Sequence, residues 1–80
     1  MDAEQEIRTI AIIGGTGALG YGLAVRWATA GVEVVIGSRE VARAEQAAAK
    51  IAEQVPGASV AGLANEEAAM RGPVVFLTVP

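Results

Sequence analysis

The chain has 80 residues, of which 52% are hydrophobic and only 4% aromatic, and its net charge is −3. This length allows one small domain, and the negative charge argues against nonspecific binding to nucleic acid. With no cysteine, no histidine, no apolar stretch of transmembrane length and no signal-peptide pattern, we expect a cytoplasmic protein without disulfides, metal ligands or a membrane partner.

The chain begins with an acidic segment, Met1–Glu6, which we expect to be a disordered tail because it has little apolar content. An apolar strand is predicted at about Ile7–Ile13. Residues 7–80 are therefore predicted to form the folded domain.

A glycine-rich turn follows this strand, and residues 10–20 read IAIIGGTGALG. Gly15, Gly17 and Gly20 match the spacing G-x-G-x-x-G of dinucleotide-binding turns. In such turns the first glycine allows a tight bend, the second leaves room for a phosphate, and the third lets the helix approach the strand. The helix start offers free N–H groups to an anion. The run predicts a pyrophosphate site made of backbone; a glycine-rich turn without a ligand is the alternative.

The first helix is predicted at about Ala18–Ala30, and Gly31, a common helix-stop residue, ends it. Helical spacing predicts one face toward the sheet, formed by Gly20, Leu23, Ala24 and Trp27. Tyr21 falls on the opposite side, where we expect it at the surface or in an interface.

The second strand is predicted at Glu33–Gly37, whose continuous apolar run is typical of a strand that is buried on both faces. A second helix is predicted at about Glu40–Gln54, before the helix-breaking pair Pro56 and Gly57. Its buried stripe is predicted to be Val41, Ala44, Ala47, Ala48 and Ile51.

The last third of the chain predicts a strand at Ser59–Leu63, a short helix capped by Asn65, and a fourth strand at Val74–Val79. Alternating strands and helices indicate an α/β protein with a Rossmann-type, doubly wound parallel sheet. Right-handed crossovers predict the strand order 3-2-1-4, which is the N-terminal half of such a fold. We therefore expect the domain to be truncated after its fourth strand.

The end of the second strand selects the ribose in this fold, because an acid there binds the hydroxyls of NAD. Here the chain reads Ser38, Arg39, Glu40, with no acid at the last position of the strand. Arg43 lies one helical turn after Arg39, so both cations can share one side of the helix. A 2′-phosphate would attract both guanidinium groups, and the sequence therefore favours NADP.

Other interpretations of this segment stay open. Glu40 can reach a ribose hydroxyl or pair with an arginine. Without a ligand, Arg43 would pair with Glu40 or Glu45 on a solvated face, and Arg39 would be ordinary turn surface.

Four stretches resemble the NADPH-dependent reductases of coenzyme F420 (also written F-420), a deazaflavin: residues 11–20 (AIIGGTGALG), 22–28 (GLAVRWA), 30–39 (AGVEVVIGSR) and 76–80 (FLTVP). The likeness runs from about Ile7 to Pro80, and the ending of the second strand, residues 36–39, is its most specific part. The chain departs from the family at Ala18, where some members carry Asn.

The resemblance implies an oxidoreductase that transfers a hydride between reduced coenzyme F420 and NADP. It implies that residues 16–19 carry the pyrophosphate, that Thr16, Ser38, Arg39 and Arg43 surround the 2′-phosphate, and that residues 78–80 lie near the nicotinamide. The predicted cofactor-binding residues are Gly15, Thr16, Gly17, Ala18, Leu19, Gly20, Ser38, Arg39, Arg43, Thr78, Val79 and Pro80.

The same resemblance bears on catalysis and partners. No catalytic side chain and no metal ligand is assigned, because hydride transfer belongs to the two cofactors and the protein holds them. In the family the deazaflavin pocket is completed by chain that follows, so these 80 residues alone are expected to be inactive. Small-molecule cofactors are the expected partners, with no nucleic acid, and a homodimer stays open.

The glycines also match a second pattern, G-x-x-G-x-x-G, at Gly14, Gly17 and Gly20. This pattern is typical of extended short-chain dehydrogenases and of NADP-sensing regulators, which usually have Thr where Ile13 stands. The enzymes also need a Tyr-x-x-x-Lys pair, whereas Val25 lies four residues after Tyr21. Such a binding module, or another NADP-dependent imine or β-hydroxyacid reductase, is the alternative.

Overall fold

The computed structural model describes residues 9–14 and 17–76. The bounds of its elements are β1 Thr9–Ile13, α1 Ala18–Thr29, β2 Glu33–Ser38, α2 Val41–Gln54, β3 Val60–Ala64, α3 Asn65–Ala69 and β4 Val74–Phe76. Strands and helices alternate as predicted, and the α/β, Rossmann-type fold class is confirmed. The predicted tail Met1–Glu6, the start of the first strand at Ile7 and the end of the fourth strand at Val79 lie outside the described residues.

The strands form a parallel sheet in the order β3-β2-β1-β4. Ile13 at the end of β1 pairs with Gly37 of β2 on one side and with Phe76 of β4 on the other. Gly37 in turn pairs with Leu63 of β3. The carboxyl ends of the strands therefore meet at one edge of the sheet, which is the edge where ligands bind in open α/β folds.

The core has two layers, because alternate residues of a strand point to opposite faces of the sheet. On one face, Ile12 and Ile36 are fully buried together with Ala24 of α1 and Ile51 of α2. On the other face, Ala11 and Val35 pack against Ala68 of α3. The prediction that the second strand is buried on both sides is confirmed, since Val34, Val35 and Ile36 have no exposed surface.

Gly62 in the middle of β3 lets α2 lie directly on the sheet. A Cβ atom on Gly62 would overlap the main chain of α2 at Ala44 and Glu45. A glycine in a strand interior is typical of such a close backbone approach. The sequence pattern alone does not predict that position 62 requires glycine.

One predicted side-chain environment on the helices is wrong, and two aromatic side chains are half-buried. Val41, assigned to the buried stripe of the second helix, is 40% exposed, because it is the first residue of α2 and the stripe is buried only from Ala44 onward. Tyr21, predicted at the surface or in an interface, is half-buried and packs against the core layer on the face of the sheet that α1 and α2 cover. Trp27, assigned to the core, is half-buried and packs against the same layer.

The segment around β3 and α3 also differs from its prediction. β3 lies one residue later than predicted, and Asn65 is the first residue of α3 rather than its cap. The cap position belongs to Ala64, whose side chain cannot accept a hydrogen bond. The Asn65 Oδ1 atom is instead buried, without a hydrogen-bond partner among the described residues.

Candidate dinucleotide-binding site

The ends of β1 and β2 bring the glycine turn and the β2–α2 turn side by side. The Gly14 N–H donates a hydrogen bond to the Gly37 carbonyl, with an N···O distance of 3.0 Å. Gly14 has a φ of 80°, in the left-handed region that glycine adopts without strain. The chain therefore leaves β1 in a turn that is fixed to the neighbouring strand.

The N-terminus of α1 faces solvent immediately after this turn. Gly17 is the N-cap, and the first intrahelical bond runs from the Tyr21 N–H to the Gly17 carbonyl at 2.9 Å. Gly17, Ala18 and Leu19 are all exposed, and α1 has neither a side-chain cap nor an acid in its first turn, as far as the described residues go. Backbone N–H groups at such a helix start are open to an anion.

Neither backbone strain nor packing among the described residues requires glycine at position 17. The Gly17 φ of −80° and ψ of 173° are open to any residue. A Cβ atom built on it would meet no described atom within 4 Å. By contrast, a Cβ atom on Gly37 would lie 2.9 Å from the Ala68 Cβ. Packing therefore does not account for the absence of a side chain at Gly17, and serine, aspartate or asparagine would cap α1 better. The glycine leaves space in front of α1.

The β2–α2 turn places Ser38 and Arg39 at the same edge of the sheet. Ser38 is buried, and its Oγ accepts a hydrogen bond from the Glu40 N–H at 3.1 Å. The hydroxyl proton is not used in that bond and can be donated elsewhere. Arg39 is exposed. The turn thus holds a hydroxyl in a fixed position and a guanidinium group beside it in solvent.

Arg43 forms an ion pair with Glu40, with 3.3 Å between Arg43 Nε and Glu40 Oε1. The two side chains are 69% and 72% exposed. Exposed pairs of this kind contribute about 0.2–1 kcal/mol to stability and weaken with salt. The sequence left Glu40 either to reach a ribose hydroxyl or to pair with an arginine, and the structure shows the ion pair with Arg43.

A cleft of about 800 Å³ lies between α1 and α2. Gly17, Ala18 and Tyr21 line one side of this cleft, and Arg43 and Lys50 lie on the other. The fold thus brings together the glycine turn and the basic start of α2, which are far apart in sequence.

The predicted site residues include three that line this cleft: Gly17, Ala18 and Arg43. The other lining residues were not predicted, and they are Tyr21, Gln46, Ala47, Lys50, Glu53 and Gln54. Lys50 lies seven residues after Arg43, on the same side of α2, and this spacing was available as a signal. Tyr21 gave no such signal, because its position depends on how α1 lies on the sheet.

The remaining predicted site residues fall into two groups. Gly20 is buried within α1, which suits a glycine that lets the helix approach the sheet. Gly15, Thr16, Thr78, Val79 and Pro80 lie outside the described residues, and their roles stay predictions.

Neither a metal cluster nor a membrane span occurs in the described part of the chain. Within residues 9–14 and 17–76, no three acidic side chains come close enough together to hold a metal ion. The longest helix there has 14 residues, and none is long and apolar enough to cross a bilayer.

Residues 9–80 match the protein family described as NADP oxidoreductase, coenzyme F420-dependent. The match includes both the glycine turn and the β2–α2 turn. It covers all the residues that form the cleft.

Three relatives are each named F420-dependent NADP reductase. The protein from Methanothermobacter thermautotrophicus is 51% identical over 77 residues, which are 92% of this chain and 33% of the relative. The protein from Methanothermobacter marburgensis is 49% identical over 73 residues, and that from Methanocaldococcus jannaschii is 45% identical over 75; each alignment covers 89% of this chain and 33% of the relative. The chain therefore spans about a third of the length of these relatives.

Proposed function

Because the chain belongs to the family of coenzyme F420-dependent NADP oxidoreductases, we propose that it is the NADP-binding part of an enzyme that transfers a hydride between reduced coenzyme F420 and NADP. The relatives that carry the name F420-dependent NADP reductase are about three times as long as the region matched here. The substrates and the reaction of the whole protein are accordingly part of the proposal.

The observation that carries the proposal is the open space at Gly17. Gly17 has ordinary dihedral angles and no described neighbour within 4 Å of its Cβ position, so neither backbone strain nor packing requires glycine there. Its N-cap position favours glycine over alanine or valine, but serine, aspartate and asparagine are better N-caps. A ligand that must come close to the backbone accounts for the choice, and a pyrophosphate at a helix N-terminus has that requirement.

The described residues fit NADP in two adjoining parts. The N–H groups at the start of α1, at Ala18 and Leu19, would hold the pyrophosphate. Ser38, Arg39 and Arg43 would hold the 2′-phosphate, since a hydroxyl donor and two guanidinium groups form charge-assisted bonds to a phosphate. Thr16 is predicted to contribute to both parts, and residues 78–80 are predicted to lie near the nicotinamide.

The role of this chain in the reaction is to bind and orient. When bound, the nicotinamide and deazaflavin rings supply the hydride donor and acceptor. The backbone of the glycine turn fixes the middle of the dinucleotide, and the basic β2–α2 turn fixes its adenosine end. Two anchors of this kind set the direction in which the rest of the dinucleotide leaves the turn.

The family match supports this function over the alternatives that the sequence left open. An NADP-sensing module would bind the same cofactor without turnover, and an imine or β-hydroxyacid reductase would use another second substrate. The matched family and the three relatives name coenzyme F420 as that second partner.

We also propose that the protein works in the cytoplasm. NADP and coenzyme F420 are charged phosphate compounds, and a membrane retains such compounds inside the cell. Cell fractionation tests this location. Sedimentation of the purified protein shows whether it is a homodimer, which the sequence leaves open.

A turnover assay tests the proposed function. The full-length protein is mixed with reduced coenzyme F420 and NADP, and formation of reduced nicotinamide is followed by its absorbance. We expect turnover that needs both compounds and that is lost in Gly17→Val. Absence of turnover with the deazaflavin, together with NADP-dependent reduction of an imine or a keto acid, would contradict the proposal.

A further inference from the structure

We propose that Glu40 is a specificity-determining residue, whose carboxylate competes with the 2′-phosphate of NADP for the Arg43 guanidinium. The inference rests on the proposed function, because it requires an NADP site at Ser38, Arg39 and Arg43. It concerns a residue that the charge pattern alone leaves ambiguous.

The geometry of the β2–α2 turn directs Glu40 to this role. Its backbone N–H is bound to Ser38 Oγ at 3.1 Å, which ties Glu40 to the residue assigned to the phosphate. Glu40 is the N-cap of α2, yet its carboxylate makes no capping bond in the described structure. The carboxylate pairs instead with Arg43, at 3.3 Å from Nε. The Glu40 carboxylate thus already lies beside the Arg43 guanidinium group that the 2′-phosphate would bind.

Charge then determines the direction of the effect. A 2′-phosphate carries about −1.5 to −2 charges near neutral pH, so it binds a guanidinium more strongly than one carboxylate does. It must nevertheless displace Glu40 from Arg43 and tolerate a carboxylate beside it. NAD has no 2′-phosphate and leaves the Glu40–Arg43 pair intact. Glu40 therefore weakens NADP binding and leaves NAD binding unchanged, which favours release of a cofactor that must leave after each turnover.

Substitution of the carboxylate by its neutral isostere tests the competition. In the full-length protein, Glu40→Gln should bind NADP about three- to tenfold more tightly at low ionic strength, since it loses a competing ion pair and a repulsion. NAD affinity should change by less than about twofold. The gain should shrink when salt is raised toward 1 M, because the Debye length falls to about 3 Å there. Both dissociation constants are measured by calorimetric titration.

Glu67→Gln is the matched control, because it removes the same charge from an exposed position on α3. This helix packs on the opposite face of the sheet from α2, and Glu67 does not line the cleft. We expect no change in NADP affinity for this variant. If the control variant gained as much NADP affinity as Glu40→Gln, the change in net charge alone would explain the effect. That result would overturn the inference.

A double-mutant cycle with Arg43 separates competition from other causes. Arg43→Gln should weaken NADP binding, and in its background Glu40→Gln should retain only a small part of its effect. If Glu40→Gln changes NADP affinity equally with Arg43 present and with Arg43 replaced, the inference is overturned. A loss of NAD affinity in Glu40→Gln would also overturn it, because the carboxylate would then be assigned to the ribose hydroxyls. If the original protein shows no preference for NADP and Arg43→Gln changes nothing, the proposed function fails instead.

Discussion

Gly17 and Gly62 lie in two regions of the molecule where a glycine has opposite surroundings. In β3, a Cβ atom on Gly62 would overlap the main chain of α2 at Ala44 and Glu45. At the start of α1, a Cβ atom on Gly17 would find no described atom within 4 Å. Gly62 is therefore explained by the packing of the chain on itself, whereas no packing among the described residues explains Gly17, and the proposed dinucleotide does.

This difference gives a rule for the glycine-rich turn. A motif glycine indicates a ligand most strongly where dihedral angles and packing would both permit another residue. Gly14, with its φ of 80°, is needed by the turn itself and says less about a ligand. The comparison also predicts that substitutions in the two regions separate binding from folding.

The largest expected effect on binding belongs to Gly17→Val. The side chain would fill the space in front of α1 and displace the pyrophosphate from the helix N-terminus. Loss of two charge-assisted hydrogen bonds of about 1.5–3 kcal/mol each weakens both NADP and NAD by at least about 100-fold. Calorimetric titration measures the affinities.

The fold of Gly17→Val should persist, because valine replaces glycine only at an N-cap, at a cost of about 1 kcal/mol. Its circular dichroism and melting temperature check this. Unchanged affinity for both dinucleotides would remove the glycine turn from the site.

Gly62→Ala should show the reverse behaviour. The added methyl group forces α2 away from β3 and is expected to lower the free energy of unfolding by about 2–3 kcal/mol. The folded fraction should bind NAD with nearly the original affinity, since the glycine turn belongs to β1 and α1. NADP affinity should fall modestly, because the shift of α2 at Ala44 also moves its neighbour Arg43. Chemical denaturation checks the stability. An unchanged unfolding midpoint would show that α2 does not need its close approach to the sheet.

Arg39→Ala sharpens the comparison within the site, because it removes a side-chain contact rather than a backbone one. NADP affinity should fall about tenfold or more, through loss of a charge-assisted bond, while NAD affinity changes by less than about twofold. Arg71→Ala is the matched control, since it removes the same charge far from the proposed site. Arg71 precedes Gly72, which lies next to Thr9 at the amino end of β1, whereas the proposed site is at the carboxyl ends of the strands. Equal losses for both dinucleotides would contradict the assignment of Arg39 to the 2′-phosphate.

The smallest expected effect belongs to Gly22→Ala, which adds the same methyl group as Gly62→Ala at an open position. Gly22 lies inside α1, is exposed, and has no described atom within 4 Å of its Cβ position. The free energy of unfolding should rise by about 0.5–1 kcal/mol, with unchanged binding. A thermal melt measures the gain, and a destabilised variant would mean that α1 has a neighbour at Gly22.

Periodicity predicted most of the fold because it determines which residues face the sheet. The spacing of Ala44, Ala47 and Ile51 placed α2 correctly, and the apolar run of β2 predicted burial on both sides. Periodicity does not determine how far a helix extends past the sheet, so Val41 was wrongly assigned to the core. It also does not measure the distance between layers, so Gly62 gave no signal.

The candidate site was predictable where it depends on backbone and less so where it depends on charge. The glycine turn was predicted because a pyrophosphate site made of backbone needs missing side chains at a fixed spacing. The partner of Glu40 depended on side-chain geometry, and the sequence offered both a ribose hydroxyl and an arginine. The cleft contact of Tyr21 depended on the orientation of α1, which no local pattern determines.

The most direct test of the account is a calorimetric titration of the full-length protein with NADP and with NAD, each over a series of salt concentrations. If the glycine turn and the β2–α2 turn form one NADP site, NADP binds more tightly than NAD and its advantage declines as salt rises. Equal binding, or a preference for NAD, would contradict the assignment of Ser38, Arg39 and Arg43 to the 2′-phosphate.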